Sequence, residues 1–240
     1  MNKLNVVNLG LTDYKSAWDL QRCIAKLRAD DAVPDVLLLT EHNHVYTLGK
    51  TSDVNHLLAH DEELKNTGTE VYHIDRGGDI TYHGPGQLVG YPILNLNSYY
   101  LDIHRYLRDI EEVLIQSLSH FGVDAHRDPE FTGVWAGPDK IAAIGVKVSR
   151  WITMHGFALN VNTDLSYFDR IIPCGIFHKG VVSMERILGK QVLLQEVAEI
   201  VAQKFGDRFE TEIISTTVDD ILPPSITQTE NTEWLPAVNQ

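Results

Sequence analysis

The sequence predicts an α+β fold: a mixed, largely antiparallel sheet with flanking helices. Two observations lead there. Most segments between consecutive β-branched runs are too short to hold the crossover helix that parallel neighbours need. The elements also come in blocks (helix, several strands, helix, strands, helix) rather than in strict alternation. The 240 residues suit one domain with a real core. Hydrophobic content of 43% and charged content of 22% are ordinary for a globular chain.

The elements follow in order. Tyr14, Ala17, Ile24 and Leu27 share a helical stripe, with Cys23 beside Ile24 as a small structural hydrophobe. Residues 36–40, 45–48, 71–74 and 88–96 read as strands. A longer stripe runs from Ile103 through Tyr106, Ile110, Val113 and Leu114 to Leu118 and Phe121, and Gly122 is its stop. Strands follow at 132–135, 141–148 and 157–161. Leu193, Val197, Ile200 and Val201 make a third helix, ending near Gly206. From Thr216 the composition turns to Thr, Pro, Asn and acids. Residues 1–215 therefore read as a single domain and 216–240 as an extended tail, with Ile221, Leu222 and Trp234 as its anchor points.

The net charge of -13 repels phosphate backbones and argues against nucleic-acid binding. Two cysteines make no disulfide framework, no run of 18 apolar residues suggests a membrane span, and the N-terminus lacks a signal-peptide core. A cytoplasmic setting is expected, where a thiol stays free to react. Eleven histidines include His42 and His44 in EHNH, but no zinc-type spacing, so neither metal nor cofactor is expected.

Four segments could carry chemistry. RGGDITYHGPGQ, from Arg76 to Gln87, holds four glycines and one proline in twelve residues. Turns explain many such runs. The polar Arg76, Thr81, Tyr82 and His83 among these glycines favour a ligand-binding loop. It has neither Walker nor Rossmann spacing. In RIIPCGIFHKG, Cys174 sits between Pro173 and Gly175, a tight loop where an exposed thiol and free amides coexist; both a catalytic and a structural reading stay open on these residues alone. In DKIAAIGVKVSR, Lys140, Lys147 and Arg150 against Asp139 give a local +2, and small Ala142, Ala143 and Gly145 leave room beside the strand. Solvated strand ends are the plain alternative. In TMHGFALNVN, Gly156 interrupts a strand pattern, as at a bulge or a close ligand approach. His155 fits a core role as well as a functional one.

Together, RGGDITYHGPGQLVGYP, GVWAGPDKIAAIGVKVSRWITMHGFALNVN and IIPCGI, with LLLTEHNHVYTLGK, resemble the lipoyl(octanoyl) transferases over about residues 30 to 190. The resemblance implies a fold like the catalytic module of biotin and lipoate protein ligases. It implies transfer of an octanoyl group from acyl carrier protein to a lysine of lipoyl domains, those of 2-oxoacid dehydrogenase complexes and of the glycine cleavage H protein. Cys174 would carry the acyl thioester, and Lys140 would lower its pKa and relay protons. Arg76, Gly77, Gly78, Asp79, Ile80, Thr81, Tyr82 and His83 would line the substrate site. So would Ala143, Ile144 and Gly145 with Gly156, Phe157 and Ala158. Asp79 departs from the Gln or Lys implied at its position and would alter the charge at the mouth. Lys140, Lys147 and Arg150, with Arg76 and Lys179, would dock acidic partners. Rival readings are an ATP-dependent lipoate or biotin ligase with Cys174 incidental, a non-catalytic binding module for acylated carriers, and a thiol hydrolase with His83 as base.

Overall fold

The computed structural model describes residues 2–172 and 180–223. Cys174 and its neighbours from 173 to 179, and the end of the chain from 224, lie outside the described residues. The first strand, β1 (Asn2–Thr12), leads into α1 (Tyr14–Ala29), whose first turn is capped by Asp13 accepting from Ser16 N. Next come β2 (Asp35–His42), β3 (Val45–Leu48), α2 (Asp61–Thr67), β4 (Glu70–His73), β5 (Ile80–His83) and β6 (Gln87–Ile93). Helix α3 (Ile103–His120) follows, and Gly122 at φ +79 ends it as the glycine pattern requires. Strands β7 (His126–Arg127), β8 (Val134–Ala136), β9 (Asp139–Ser149) and β10 (Ile152–Asn160) precede α4 (Met184–Leu188), α5 (Leu194–Phe209), β11 (Thr211–Ser215) and α6 (Val218–Ile221).

Eight strands form one sheet in the order β11-β1-β2-β6-β10-β9-β8-β7. Only β1 pairs in parallel, with β11 and β2, and the rest of that sheet is antiparallel. A smaller sheet, β4-β3-β5, stands apart. The mixed, largely antiparallel fold is therefore the expected one. Alternation sets the layers. Leu37 and Leu39 of β2 pack with α3 and α5, while Val36 and Leu38 pack with α1.

Several elements lie outside the sequence expectation. β1 and β11 carry too few consecutive β-branched residues to stand out, and become strands by pairing with each other and with β2. Helix α5 runs three residues past Gly206, because that glycine lies against β11: a Cβ there would meet Ile213 Cγ1 at 2.7 Å. Beyond residue 216, Thr217 caps α6 in a capping box, and Val218, Ile221 and Leu222 are buried in the α1-side core. Trp234 lies outside the described residues.

One buried ion pair ties the layers together. Asp35, at the start of β2, accepts from Arg28 Nε at 2.6 Å, Asn95 N at 2.9 Å and Tyr99 Oη at 2.7 Å. Removing the carboxylate leaves the buried Arg28 guanidinium with the exposed Asp31 as its remaining counter-ion. Asp35→Ala should cost roughly 3–5 kcal/mol in urea unfolding, and the joint change Arg28→Met with Asp35→Leu should cost much less. A loss under about 1 kcal/mol for the single change would remove Asp35 as a clamp.

Candidate active site

Strand β8 pairs with β9 only as far as Ala142. The rest of β9 has β10 on one side and no strand on the other among the described residues. A cavity of about 500 Å³ occupies this margin. Its floor is made of small residues. Ala143 faces Ala158 across the β9–β10 ladder and Gly145 faces Gly156, with Val89 and Tyr91 of β6 beyond them. Ile103 and Leu107 of α3 close one side, and the segment from Arg76 to His83 closes the other.

The Arg-Gly-Gly segment lies directly on β9. Gly77 N donates to the Val146 carbonyl at 3.0 Å. A Cβ on Gly145 would stand 2.9 Å from Gly77 O and 3.1 Å from Arg76 Cδ. Gly49 approaches still more closely: a Cβ there would stand 2.2 Å from the Gly78 carbonyl oxygen. Arg76 is buried: it donates to Thr47 O at 2.7 Å, Thr47 Oγ1 at 3.0 Å and Gly77 O at 3.0 Å. Its guanidinium thus pins the loop to β3 and is not on a docking surface. Asp79 is buried too. It accepts from Ile80 N at 2.7 Å and meets His56 Nδ1 at 2.6 Å, so its carboxylate is partnered where it borders the cavity.

Strand β5 then sorts its side chains by alternation. Thr81 and His83 border the cavity with Gly77, Gly78, Asp79 and Ile80. Tyr82 turns the other way, with its hydroxyl 2.7 Å from His44 Nδ1 and its ring 4.8 Å from that of Tyr167. Tyr82 is the named loop residue that does not line the cavity; it braces the loop from behind. His83 Nδ1 lies 2.8 Å from Gln87 Oε1. Because Gln87 Nε2 donates to Asn160 Oδ1 at 2.9 Å, its oxygen is the acceptor and His83 Nδ1 carries the proton. Burial pushes the His83 pKa down to about 3, so the ring is neutral at pH 7.

Lys140 borders the same cavity, with Nζ 3.3 Å from Thr132 O and 4.7 Å from the Trp135 ring centroid. Its backbone is tied to the chain just after residue 179: Lys140 N donates to Gly180 O at 3.0 Å and Val182 N to Lys140 O at 3.1 Å. Before residue 173, Ile172 N donates to His56 O at 2.8 Å. Val181 and Phe168, on either side of that segment, both line the cavity. Glu111, fully buried on α3, accepts from Arg108 at 2.7 Å and Gly133 N at 3.1 Å, and so fixes the turn that leads to Thr132 and Trp135.

Sequence reasoning left His155 open and missed Tyr14. His155 has φ +57, and its partner Val146 packs with the α3–α5 layer. The positive φ swings the imidazole to the opposite face, beside Trp18 of α1 and within 2.9 Å of Asp75 Oδ1. Pro92 of β6 lies beside this stretch of β10 with no N–H to offer it, and a Cβ on Gly156 would stand 2.6 Å from its Cδ. Burial lowers the His155 pKa. The hydrogen bond from His155, with the Lys147 ammonium, holds Asp75 far below the usual carboxylate range. Tyr14 closes the inner end, stacked on His83 at 6.0 Å.

Two outcomes follow. Gly145→Ala should cut activity steeply while the fold survives, because the methyl group displaces the Arg76–Gly78 segment; kinetics compared with thermal unfolding checks this. The second concerns acid. Burial lowers His42 to about 4 and His83 to about 3, both below the 6.5 of an exposed histidine. Between those values the unfolded chain binds more protons, so stability falls as pH drops from 6.5 towards 4, by about 1.4 kcal/mol per pH unit for each ring. Asp75 adds its own loss only below pH 3.8, outside that window. Urea midpoints against pH should show a shallower slope in His83→Gln, and an equal slope would refute the assignment.

Residues 13–206 match the family model described as the lipoyl protein ligase A/B catalytic domain. An octanoyltransferase of Rubrobacter xylanophilus is 54% identical over 200 residues, covering 82% of this chain and 90% of its own. One from Christiangramia forsetii is 49% identical over 231 residues, covering 89% and 99%. Among solved structures, the bi-partite lipoate protein ligase of Thermoplasma acidophilum superposes with a TM-score of 0.74 at 20% identity, covering 98% of this chain and 91% of that one, and shows the shared fold. This chain belongs to the lipoyl protein ligase A/B catalytic-domain family.

Proposed function

We propose that the protein is an octanoyltransferase that takes an octanoyl group from acyl carrier protein and delivers it to a lysine of lipoyl domains, including those of 2-oxoacid dehydrogenase complexes and the glycine cleavage H protein. The observation that carries this reading is convergence: Lys140, the Arg76–Gly78 loop and the small-residue floor border one largely apolar cavity. A straight acyl chain can lie on a floor of Ala143, Gly145, Gly156 and Ala158, where larger side chains would fill the space.

In the proposed reaction, the Cys174 thiolate attacks the donor thioester. The new carbon–sulfur bond forms as the bond to the carrier thiol breaks, and that thiol leaves with a proton from the Lys140 ammonium. The acceptor amine then attacks the acyl-enzyme, gives a proton to neutral Lys140, and forms the amide as the Cys174 thiolate departs. Thioester exchange is nearly isoenergetic and the amide is more stable, so the sequence runs without ATP. That separates it from the ligase reading.

Intact mass of the protein incubated with octanoyl-carrier should show one octanoyl adduct, removed by hydroxylamine and absent in Cys174→Ser. Lys140→Ala should slow transfer on the order of 10²–10⁴-fold and raise the pH at which the thiol is alkylated. A strict ATP requirement, or full activity in Cys174→Ser, would defeat this reading.

A further inference from the structure

The Lys140 side chain rests on the chain just before it. The β8–β9 register slips between Val134 and Trp135, so Ile141 has no opposite residue and Lys140 stands directly across from Trp135. Such a bulge re-aims the side chain beside it. Trp135 is 2% exposed, and its ring centroid lies 4.7 Å from Lys140 Nζ, where a π face favours a cation. Gly133, at φ +131, leaves room for the lysine stem: a Cβ there would stand 3.3 Å from Lys140 Cε and 2.8 Å from Ala142 O. The Thr132 carbonyl accepts from Nζ at 3.3 Å.

One peptide unit links this arrangement to α3. Thr132 O and Gly133 N belong to the same peptide group, which is trans, so its C=O and N–H point opposite ways. The carbonyl side meets Lys140 Nζ. The N–H side donates to Glu111 Oε1 at 3.1 Å. Glu111 is fully buried, and its other oxygen accepts from Arg108 Nη1 at 2.7 Å and lies 3.2 Å from Arg127 Nε. Both arginines are partly exposed and anchor the carboxylate from the solvent side. Burying a carboxylate is costly, and an aliphatic side chain at this core position would avoid that cost. A carboxylate on the N–H side also polarises the peptide and makes its carbonyl a better acceptor for an ammonium.

We propose that Glu111 is a positioning residue for Lys140, acting through the Thr132–Gly133 peptide. The proposal rests on the transfer reaction above, in which Lys140 exchanges protons with the carrier thiol and the acceptor amine. Glu111 is not among the residues that line the cavity. It fixes where the Thr132 carbonyl points, and that carbonyl, with the Trp135 ring, limits where Nζ can stand. Proton transfer needs donor and acceptor within hydrogen-bond reach, and a displacement of about 1 Å can cost on the order of 10²-fold in rate.

Three variants test this. Glu111→Ala removes the acceptor for Gly133 N. Glu111→Asp keeps a carboxylate beside Arg108 and Arg127, which spares the ion pairs that support the fold, but draws it back from Gly133 by one methylene group. Glu111→Gln keeps an oxygen for Gly133 N, since Arg108 and Arg127 can turn to water. We expect kcat to fall about tenfold or more in Glu111→Ala and Glu111→Asp at unchanged KM, and Glu111→Gln to stay within about threefold of wild type. In a Lys140→Ala background, Glu111→Ala should cost nothing further. A merely structural role makes kcat follow the unfolding midpoint, with Glu111→Gln no better than Glu111→Asp; that result overturns the proposal, as does a full additional loss in the Lys140→Ala background. Labelling of the Lys140 amine by trace acetic anhydride, mapped by peptide mass, needs no turnover. It should rise several-fold in Glu111→Asp, and an unchanged rate overturns the proposal. If labelling rises while Lys140→Ala transfers at the wild-type rate, the positioning stands and the role of Lys140 in transfer fails instead.

Discussion

The contact between Gly77 and Gly145 is the constraint on which the site depends. The loop can lie this close only because the strand carries no side chain there: a Cβ on Gly145 would come within 2.9 Å of the loop carbonyl, whereas one on Gly77 would stand 3.4 Å from Val146 O. From that contact the other positions follow. Arg76 reaches back to Thr47, Gly78 is held against Gly49, and Asp79 meets His56. The loop is then a rigid wall, and the space it encloses is set by how far β9 extends past β8.

That space exists because the sheet is incomplete. Were β8 as long as β9, the margin beside Ala143 to Val146 would be filled by a paired strand. Its early end leaves a sheet edge inside the protein, covered by the loop, by α3 and by the single bond from Gly77 to Val146. An unpaired strand edge is a hazard when open to solvent. Here it is walled in and becomes the lining of a cavity.

Charge is distributed around the same cavity. Neutral His83 borders the cavity beside Tyr14, with the His42 ring packed against it, and burial keeps both rings uncharged. Lys140 borders it too, over the Trp135 ring. Asp75 links His155, which borders the cavity, to Lys147 of β9.

Much of this was legible in the sequence. Periodicity placed α1, α3 and most strands, short connections implied a mixed sheet, and glycine density marked the Arg76–Gln87 loop. These are local properties, determined by spacing along the chain. Strands β1 and β11 were not legible, since pairing rather than composition makes them strands. Nor was the outward turn of Tyr82, which depends on β5 having β3 and the Tyr167 ring behind it. His155 was ambiguous for a related reason: its positive φ, which spacing along the chain does not show, carries its ring beside Trp18 of α1. Spacing alone did not separate Lys140, Lys147 and Arg150, and only the resemblance singled out Lys140; in the structure Lys140 borders the cavity, Lys147 is paired with Asp75, and Arg150 lies with Arg22 and Lys26 around a shallow depression beside α1. By itself the sequence determined which chemistry-bearing residues the chain possesses and which segments are helix or strand. Only the tertiary structure decided which of them share a wall, because that depends on contacts between residues distant in sequence.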